Sequence, residues 1–180
     1  MAMTSQQVEK LAGRLWPDDD CTIFALLDGA GIPDLIDKLQ QAPGLEFECL
    51  FSGELEAGVA EVSPYIARLE TGSEFANWAM GGWGQRRGIF VQVPRDVELP
   101  VLRRHFRKLN MVYGPDGNSM LFRYYDPRVI WMFLSVCERQ QVNALFGPVN
   151  SYLFEGNAEN EGVAISVLDG ALIHQQFALA

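Results

Sequence analysis

The sequence predicts a single compact α/β domain in which a mixed, layered sheet is covered by alternating helices. Short apolar runs bounded by turn residues alternate along the chain with amphipathic segments of helical period. The length of 180 residues suffices for one domain with a sizeable core. Hydrophobic residues make up 48% and charged residues 21% of the chain, which is typical of globular proteins and excludes disordered and fibrous classes.

The first elements follow from apolar patterning. Apolar residues at helical spacing between Ser5 and Trp16 predict an N-terminal helix, which an acidic linker follows. The continuous apolar run 22–27 ends at Asp28 and Gly29, and such a run is typical of a strand buried on both faces. We therefore expect a central strand directly after the linker.

The next segments alternate helices and strands. A proline at position 33 and the apolar stripe after it predict a helix. The apolar runs 47–51, 65–69 and 88–93 predict strands, and a helical piece around Trp78 precedes the last of them. This alternation is the main reason for expecting helices packed on a sheet.

The most regular amphipathic pattern covers residues 99–109, where apolar residues follow the helical period and a proline suits the first turn. The turn-forming residues 114–118 connect two apolar segments. We therefore predict a hairpin of strands 111–113 and 119–125 after this helix.

Asp126 followed by Pro127 has the form of an N-cap and a first-turn proline, and it predicts a helix that a second short helix before Gly147 follows. Residues 152–154 and 163–168 predict two late strands around an acidic loop. The predicted organisation is an N-terminal helix and acidic linker (1–22), a main α/β domain (23–150) and a short C-terminal β extension (151–180).

The formal charge of -9 is unevenly distributed along the chain. Residues 1–85 hold 4 Lys or Arg and 14 Asp or Glu, residues 86–139 hold 10 and 5, and residues 140–180 hold 0 and 4. So acidic a chain is a poor match for nucleic acid and a better match for another protein. We expect a cytoplasmic protein without membrane insertion, because no apolar run approaches the roughly 18 residues that span a bilayer.

The residues that carry chemistry form no recognisable site. The cysteines Cys21, Cys49 and Cys137 show no metal-ligand spacing with His105 and His174. We expect free thiols, a structural role for His105, and neither a metal nor a cofactor. A serine nucleophile elbow of the G-x-S-x-G type is missing from the sequence.

Two further features could suggest catalysis. Asp126 and Arg128 could act as an acid and an electrophile, but we favour the helix-capping role for Asp126. The glycine-rich segment 81–88 contains Arg86 and Arg87, but it leads from a helix into a strand, whereas phosphate loops lead from a strand into a helix. We therefore expect a helix C-cap and a turn. The alternative is a small cytoplasmic hydrolase or nucleotide-binding protein that uses this loop.

Six sequence blocks occur in a characteristic order: FALLDGA (24–30), ECLFSGEL (48–55), PYIARL (64–69), WGQRRGIF (83–90), LFRYYDPRV (121–129) and ALFGPV (144–149). In this order they resemble the effector-adaptor chaperones of bacterial type VI secretion systems. The resemblance implies a non-enzymatic cytoplasmic protein that binds one toxic effector, often through a PAAR or related N-terminal region, and helps to mount it on the VgrG spike. In relatives a second aromatic residue often stands where this chain has Arg87.

The partner-binding surface is expected on the basic segment. The helix 99–109 carries two like-charge pairs, Arg103 with Arg107 and Arg104 with Lys108, whose acidic counterface is either the chain's own first half or a partner. The helical period turns Arg104, Arg107 and Lys108 away from the core.

Strand alternation adds two residues to this expected surface. In the predicted strand 119–125, Arg123 and Tyr125 share one face. We expect Arg104, Arg107, Lys108, Arg123 and Tyr125 to bind an acidic or amphipathic segment of the effector.

Overall fold

The computed structural model describes residues 3–53, 56, 58–114, 116–158 and 160–180. The described residues form the helices α1 (Ser5–Leu15), α2 (Leu35–Gln41), α3 (Val59–Val62), α4 (Glu74–Gly81), α5 (Leu99–Leu109), α6 (Pro127–Leu134) and α7 (Arg139–Phe146). The strands are β1 (Cys21–Asp28), β2 (Phe47–Cys49), β3 (Pro64–Leu69), β4 (Gly88–Pro94), β5 (Met111–Tyr113), β6 (Ser119–Leu121), β7 (Ser151–Glu155), β8 (Glu161–Leu168) and β9 (Ala171–Ala178).

Seven strands form one sheet in the order β2-β3-β1-β4-β7-β8-β9, and β5 and β6 form a separate two-stranded ribbon. The predicted α/β fold class is confirmed. The sheet that we expected to be mixed is antiparallel in each described strand pair. Strands β7, β8 and β9 continue the sheet that β1 to β4 begin, so the C-terminal segment shares the sheet with the rest of the fold.

Helices cover both faces of the sheet. In β1 the side chains of Phe24 and Leu26 enter one apolar cluster with α5, α6 and α7, whereas Ile23, Ala25 and Leu27 enter a second cluster with α1, α2 and α4. Because successive strand residues point to opposite faces, the continuous apolar run in β1 serves both clusters. The result is a three-layer arrangement with the sheet in the middle.

Two glycines of the quoted blocks lie where the backbone passes too close for a side chain. A Cβ atom on Gly29 would collide with the Ser63 carbonyl oxygen, and one on Gly88 would collide with the Leu26 carbonyl oxygen. Both glycines lie where β1 meets its neighbours, β3 and β4. Close backbone approach therefore requires glycine at both positions.

Three differences from the sequence expectation have physical causes. The predicted strand 119–125 ends at Leu121, because Tyr124 and Tyr125 turn into the core. Strand β9 was missed: the two-residue turn Asp169-Gly170, both with positive φ, closes a hairpin with β8. The short helix α3 was also missed, and it carries no buried residue that would create an apolar pattern.

Candidate functional site

Helix α5 carries the basic residues nominated from the sequence, and its two like-charge pairs lie on different faces. Leu102 and Phe106 are fully buried and fix the orientation of the helix on the sheet. At 100° per residue, this orientation turns the Arg103 and Arg107 side chains towards β2 and the Arg104 and Lys108 side chains away from the core.

The first pair packs against the chain's own first half. Arg103 Nη1 lies 3.3 Å from Glu48 Oε1 in β2. Arg107 Nη2 donates hydrogen bonds to the Cys49 carbonyl oxygen at 3.0 Å and to the Phe51 carbonyl oxygen at 2.8 Å. The expectation of a solvent-facing Arg107 is therefore wrong, because the edge of β2 offers this side chain fixed acceptors.

The second pair faces solvent. Arg104 and Lys108 are exposed, and among the described residues neither has a carboxylate within ion-pair distance. Val101, one turn before, is 45% exposed and extends the same face of the helix. This face of α5 therefore presents two positive charges next to apolar surface.

The ribbon of β5 and β6 directly follows this helix and exposes large apolar side chains. Tyr113 is 79% exposed, and Met111, Met120 and Leu121 are each about half exposed. Met111 lies opposite Leu121 in the ribbon. Large apolar side chains exposed close together are typical of an interaction site. Met111, Tyr113 and Leu121 share one face of the ribbon, whereas Met120 lies on the other face. We call the surface formed by Arg104, Lys108, Met111, Tyr113 and Leu121 the α5–ribbon surface.

The sequence analysis found the cations of this surface but missed its apolar part. The ribbon residues read as ordinary strand residues, because a hairpin normally buries one face against a sheet. Only their exposure in the folded chain distinguishes them.

Arg123 is held by an internal partner. Its guanidinium forms an ion pair with the carboxylate of Asp28, which is 3% exposed and lies at the end of β1. Burial works against the charged guanidinium, but the hydrogen bond and the charge of Asp28 raise the pKa of Arg123. The Arg123 side chain remains 40% exposed, so it lies at the surface while bound to the core.

Tyr125 is 2% exposed, so the expectation that it shares an open face with Arg123 is wrong. Its ring packs edge-on against Tyr124, whose hydroxyl donates to the Phe106 carbonyl oxygen at 3.0 Å. Burial raises the pKa of Tyr125 to about 12. The reason for the difference is the early end of β6, after which strand alternation no longer applies.

Asp126 caps α6 as predicted. Its carboxylate accepts a hydrogen bond from the Arg128 backbone N–H at 2.9 Å and two more from the Arg128 guanidinium at 3.0 and 2.6 Å. Burial alone would raise the pKa of Asp126, but the hydrogen bonds from Arg128 lower it. Every close contact of this carboxylate is thus explained by holding the helix end.

The glycine-rich segment follows α4, and Gly82 is the C-cap of this helix. The backbone N–H of Arg86 in this segment contacts the carboxylate of Glu155. The Arg86 N–H lies 3.0 and 3.2 Å from the two carboxylate oxygens of Glu155. Burial raises the pKa of Glu155, and the amide contacts oppose this rise. Arg87 lies over the Trp78 ring at 5.2 Å, so the cation stacks on an aromatic side chain.

The remaining titratable groups are dispersed. His105 Nε2 lies 2.9 Å from the Leu145 carbonyl oxygen, and burial lowers the pKa of this histidine. The cysteines are free. No group of three or more His, Cys, Asp or Glu side chains within the described ranges is arranged to hold a metal ion.

A groove of about 300 Å³ lies between the end of α2 and the start of α4. Phe75 and Trp78 form its aromatic wall, and Arg68 stands between Glu46 and Glu70 at its rim. The cavities beside Arg86 and beside Arg87 measure only about 30 and 10 Å³. The space around the two arginines is therefore close to that of a single water molecule.

Residues 23–144 match a protein family described as a domain of unknown function (DUF4123). The chain belongs to this family. No curated protein and no solved structure matches the chain. The family is associated with effector adaptors of type VI secretion systems, which agrees with the resemblance noted from the six sequence blocks.

Residues of three of the quoted blocks meet at the end of β1. The block around Asp28 and the block around Arg123 come together in one ion pair, 95 residues apart along the chain. The Asp28 backbone N–H also donates to the Arg87 carbonyl oxygen, which belongs to a third block. These motif residues thus build the end of the central strand.

No helix in the described part of the chain is long and apolar enough to cross a membrane.

Proposed function

We propose that this protein is a non-enzymatic adaptor that binds a type VI secretion effector, of the PAAR type or another toxin, and helps to load it onto the VgrG spike in the cytoplasm. Membership of the DUF4123 family supports this proposal. The observation that carries the binding role is the α5–ribbon surface, where a helix with two exposed cations that have no described partner leads directly into a ribbon with exposed apolar side chains.

The chemistry of this surface favours one kind of effector segment. Arg104 and Lys108 attract carboxylates, and Met111, Tyr113 and Leu121 offer apolar and aromatic contact. Tyrosine and arginine are frequent among residues that dominate binding energy. The occupant we propose is an acidic, amphipathic segment of the effector, because charge complementarity selects it over a basic or purely polar one.

The binding test begins with the tagged protein purified from its native cell, so that the co-purifying effector is identified by mass spectrometry. Its affinity is then measured for the wild-type chain, for Arg104→Glu/Lys108→Glu, and for Lys38→Glu/Arg139→Glu. The last variant makes the same charge change at exposed positions of α2 and α7. We expect at least a tenfold loss for the first variant, roughly 1.4 kcal/mol, no loss for the control, and weaker wild-type binding in high salt.

The apolar part of the α5–ribbon surface is tested with a second variant and a matched control. Tyr113→Ala removes a side chain that is 79% exposed, and Val136→Ala removes one that is 82% exposed outside the surface. Only the Tyr113 variant should lose effector affinity. Unchanged affinity in both folded surface variants would mean that the effector binds elsewhere.

The delivery role is tested by deleting the gene. An adaptor acts on one cargo before loading, so delivery or steady-state level of one effector should fall while the secretion apparatus keeps working. Loss of every secreted substrate, including the tube protein, would instead indicate a structural component of the apparatus.

The alternative, a small hydrolase or nucleotide-binding protein built on Arg86 and Arg87, has less support. Glu155 already accepts the Arg86 amide, and the neighbouring cavities are too small for a nucleotide. We expect no turnover in screens for hydrolase and nucleotide activity. Turnover that disappears in Cys49→Ala, His105→Ala or Arg86→Ala would overturn the adaptor proposal.

A further inference from the structure

In the part of the chain that the structure describes, no strand pairs with the outer edge of β9, and this strand lacks the charges and prolines that protect many edge strands. The strand is eight residues long and stands last in the sheet order. Residues 171–180 contain no Asp, Glu, Lys, Arg or Pro. Natural proteins normally protect a sheet edge with charges, prolines, bulges or short strands, because an open edge pairs readily with another strand.

The opposite edge of the same sheet shows such protection. Strand β2 has only three residues, and one of them is Glu48. Arg107 donates hydrogen bonds to the carbonyl oxygen of Cys49 in this strand and to that of Phe51 just after it. One edge of the sheet, at β2, is therefore protected, whereas the other edge, at β9, has no Asp, Glu, Lys or Arg to protect it.

The hydrogen-bonding direction of each β9 residue follows from one contact beyond the strand. The Leu179 N–H donates to the Asn160 carbonyl oxygen on the β8 side. Backbone groups alternate in direction along a strand, so the odd-numbered residues of β9 face β8. The N–H and C=O groups that point outward belong to Leu172, His174, Gln176 and Ala178.

We propose that β9 pairs antiparallel with β9 of a second copy of this chain, about a two-fold axis beside Gln175. In this register Leu172 lies opposite the second copy's Ala178, and His174 lies opposite the second copy's Gln176. Each outward N–H then meets an outward C=O, and the two seven-stranded sheets join into one.

The side chains fit this self-pairing as well as the backbone does. Ile173 of each copy lies opposite Phe177 of the other, which makes a cross-strand apolar pair. Gln175 lies opposite its own counterpart at the axis. Because the strand has no Asp, Glu, Lys or Arg, the two-fold axis brings no like charges of these residues into opposition. A strand that lacks Asp, Glu, Lys and Arg and forms this cross-strand apolar pair is therefore a suitable partner for itself.

The expected dimer is weak. Strand-to-strand pairing along a single edge buries less area than a standard interface of about 1,600 Å². We expect dissociation in the micromolar range, on the order of 10 μM. The β9 edge lies across the sheet from β2 and α5, so pairing leaves the α5–ribbon surface accessible.

The first test is sedimentation of the wild-type chain over a concentration series, beside Gln176→Pro and Gln176→Thr. Proline removes an outward N–H without removing a hydrogen bond to β8, and threonine keeps that N–H. We expect a monomer-to-dimer transition for the wild type and for Gln176→Thr, and a monomer for Gln176→Pro at every concentration. Thermal melting of each variant shows that it is folded.

A second test introduces charged residues at position 175, beside the two-fold axis, and does not depend on a proline substitution. Gln175→Lys and Gln175→Glu each bring like charges together in their own dimer, so each should dimerise several-fold more weakly than the wild type. Mixing the two variants pairs Lys with Glu and should restore the dimer. Recovery in the mixture identifies Gln175 as the residue on the axis.

Two results would overturn the proposal. A wild-type chain that stays monomeric at millimolar concentration has no self-pairing edge; if Gln176→Pro then also loses effector binding, the edge takes a strand of the effector instead. A dimer that persists in Gln176→Pro, with no recovery in the mixture of charge variants, forms through another surface.

Discussion

The two like-charge pairs of α5 have opposite surroundings although they are one residue apart in sequence. Arg103 and Arg107 reach Glu48 and the carbonyl groups at the edge of β2, whereas Arg104 and Lys108 extend into solvent. The difference teaches that charge alone does not indicate a binding residue. A cation with fixed acceptors in its own chain stabilises the fold, and a cation without them remains available to a partner.

Arg123 lies outside α5, but like Arg103 and Arg107 it has an acceptor within its own chain. Its partner Asp28 is buried, and the pair joins the end of β1 to the segment before α6. Of the five residues nominated for partner binding, Arg107, Arg123 and Tyr125 therefore have structural contacts. Partner binding by each of the five residues remains a prediction, and Arg104 and Lys108 are the two whose side chains are exposed without an ion-pair partner among the described residues.

The largest effect is expected from Asp28→Asn, which removes the charge that Arg123 pairs with. The buried Asp28 side chain makes the loss costly, and the 40% exposure of Arg123 limits it, because water partly solvates the guanidinium. We expect the free energy of unfolding to fall by about 2 kcal/mol. Urea denaturation measures it, with Asp19→Asn in the exposed linker as the control. A loss as small as that of the control would mean that the ion pair of Arg123 with Asp28 does not stabilise the fold.

A smaller loss is expected from Arg107→Met, which keeps the length of the side chain but removes both hydrogen bonds to the edge of β2. Carbonyl groups left without donors should lower the free energy of unfolding by about 1 to 2 kcal/mol. The matched control is Arg104→Met on the outward face, which should change it by less than about 0.5 kcal/mol. Equal effects of the two substitutions would remove the distinction between the faces.

His105 adds a pH dependence to the same helix. Burial lowers its pKa in the folded state below the ordinary value of about 6.5. The folded state therefore binds fewer protons than the unfolded chain, so this contribution is complete above about pH 6.5 and is lost as the pH falls below it. In His105→Gln the free energy of unfolding should vary less between pH 7.5 and 5 than in the wild type. A pH dependence in His105→Gln as steep as that of the wild type would mean that the buried His105 does not cause it.

The smallest effect on stability is expected from Arg104→Glu/Lys108→Glu. Both side chains are exposed, so the melting temperature should stay close to that of the wild type while effector affinity falls. Reversal of Arg103 and Arg107 should do the opposite and destabilise the fold first. A melting temperature that falls equally in both reversals would show that Arg104 and Lys108 also have internal acceptors.

Most of the fold could be predicted from periodicity. The run in β1 and the stripe in α5 each bury apolar residues, and burial leaves a regular pattern in the sequence. The cap formed by Asp126 was equally readable, because a capping residue contacts the backbone two positions ahead. Strand β9 was missed because its exposed residues His174, Gln175 and Gln176 break the apolar alternation.

The sequence by itself determined the local features of this protein, which are the α/β class, the elements with a buried face and the basic segment 86–139. Only the tertiary structure decided which cations are available, because the acceptors of Arg107 and Arg123 lie 56 and 95 residues away along the chain. It likewise decided that the ribbon is exposed and that β9 has an open edge. Local patterns report burial and backbone period, whereas pairing and exposure depend on which distant segments fold against each residue.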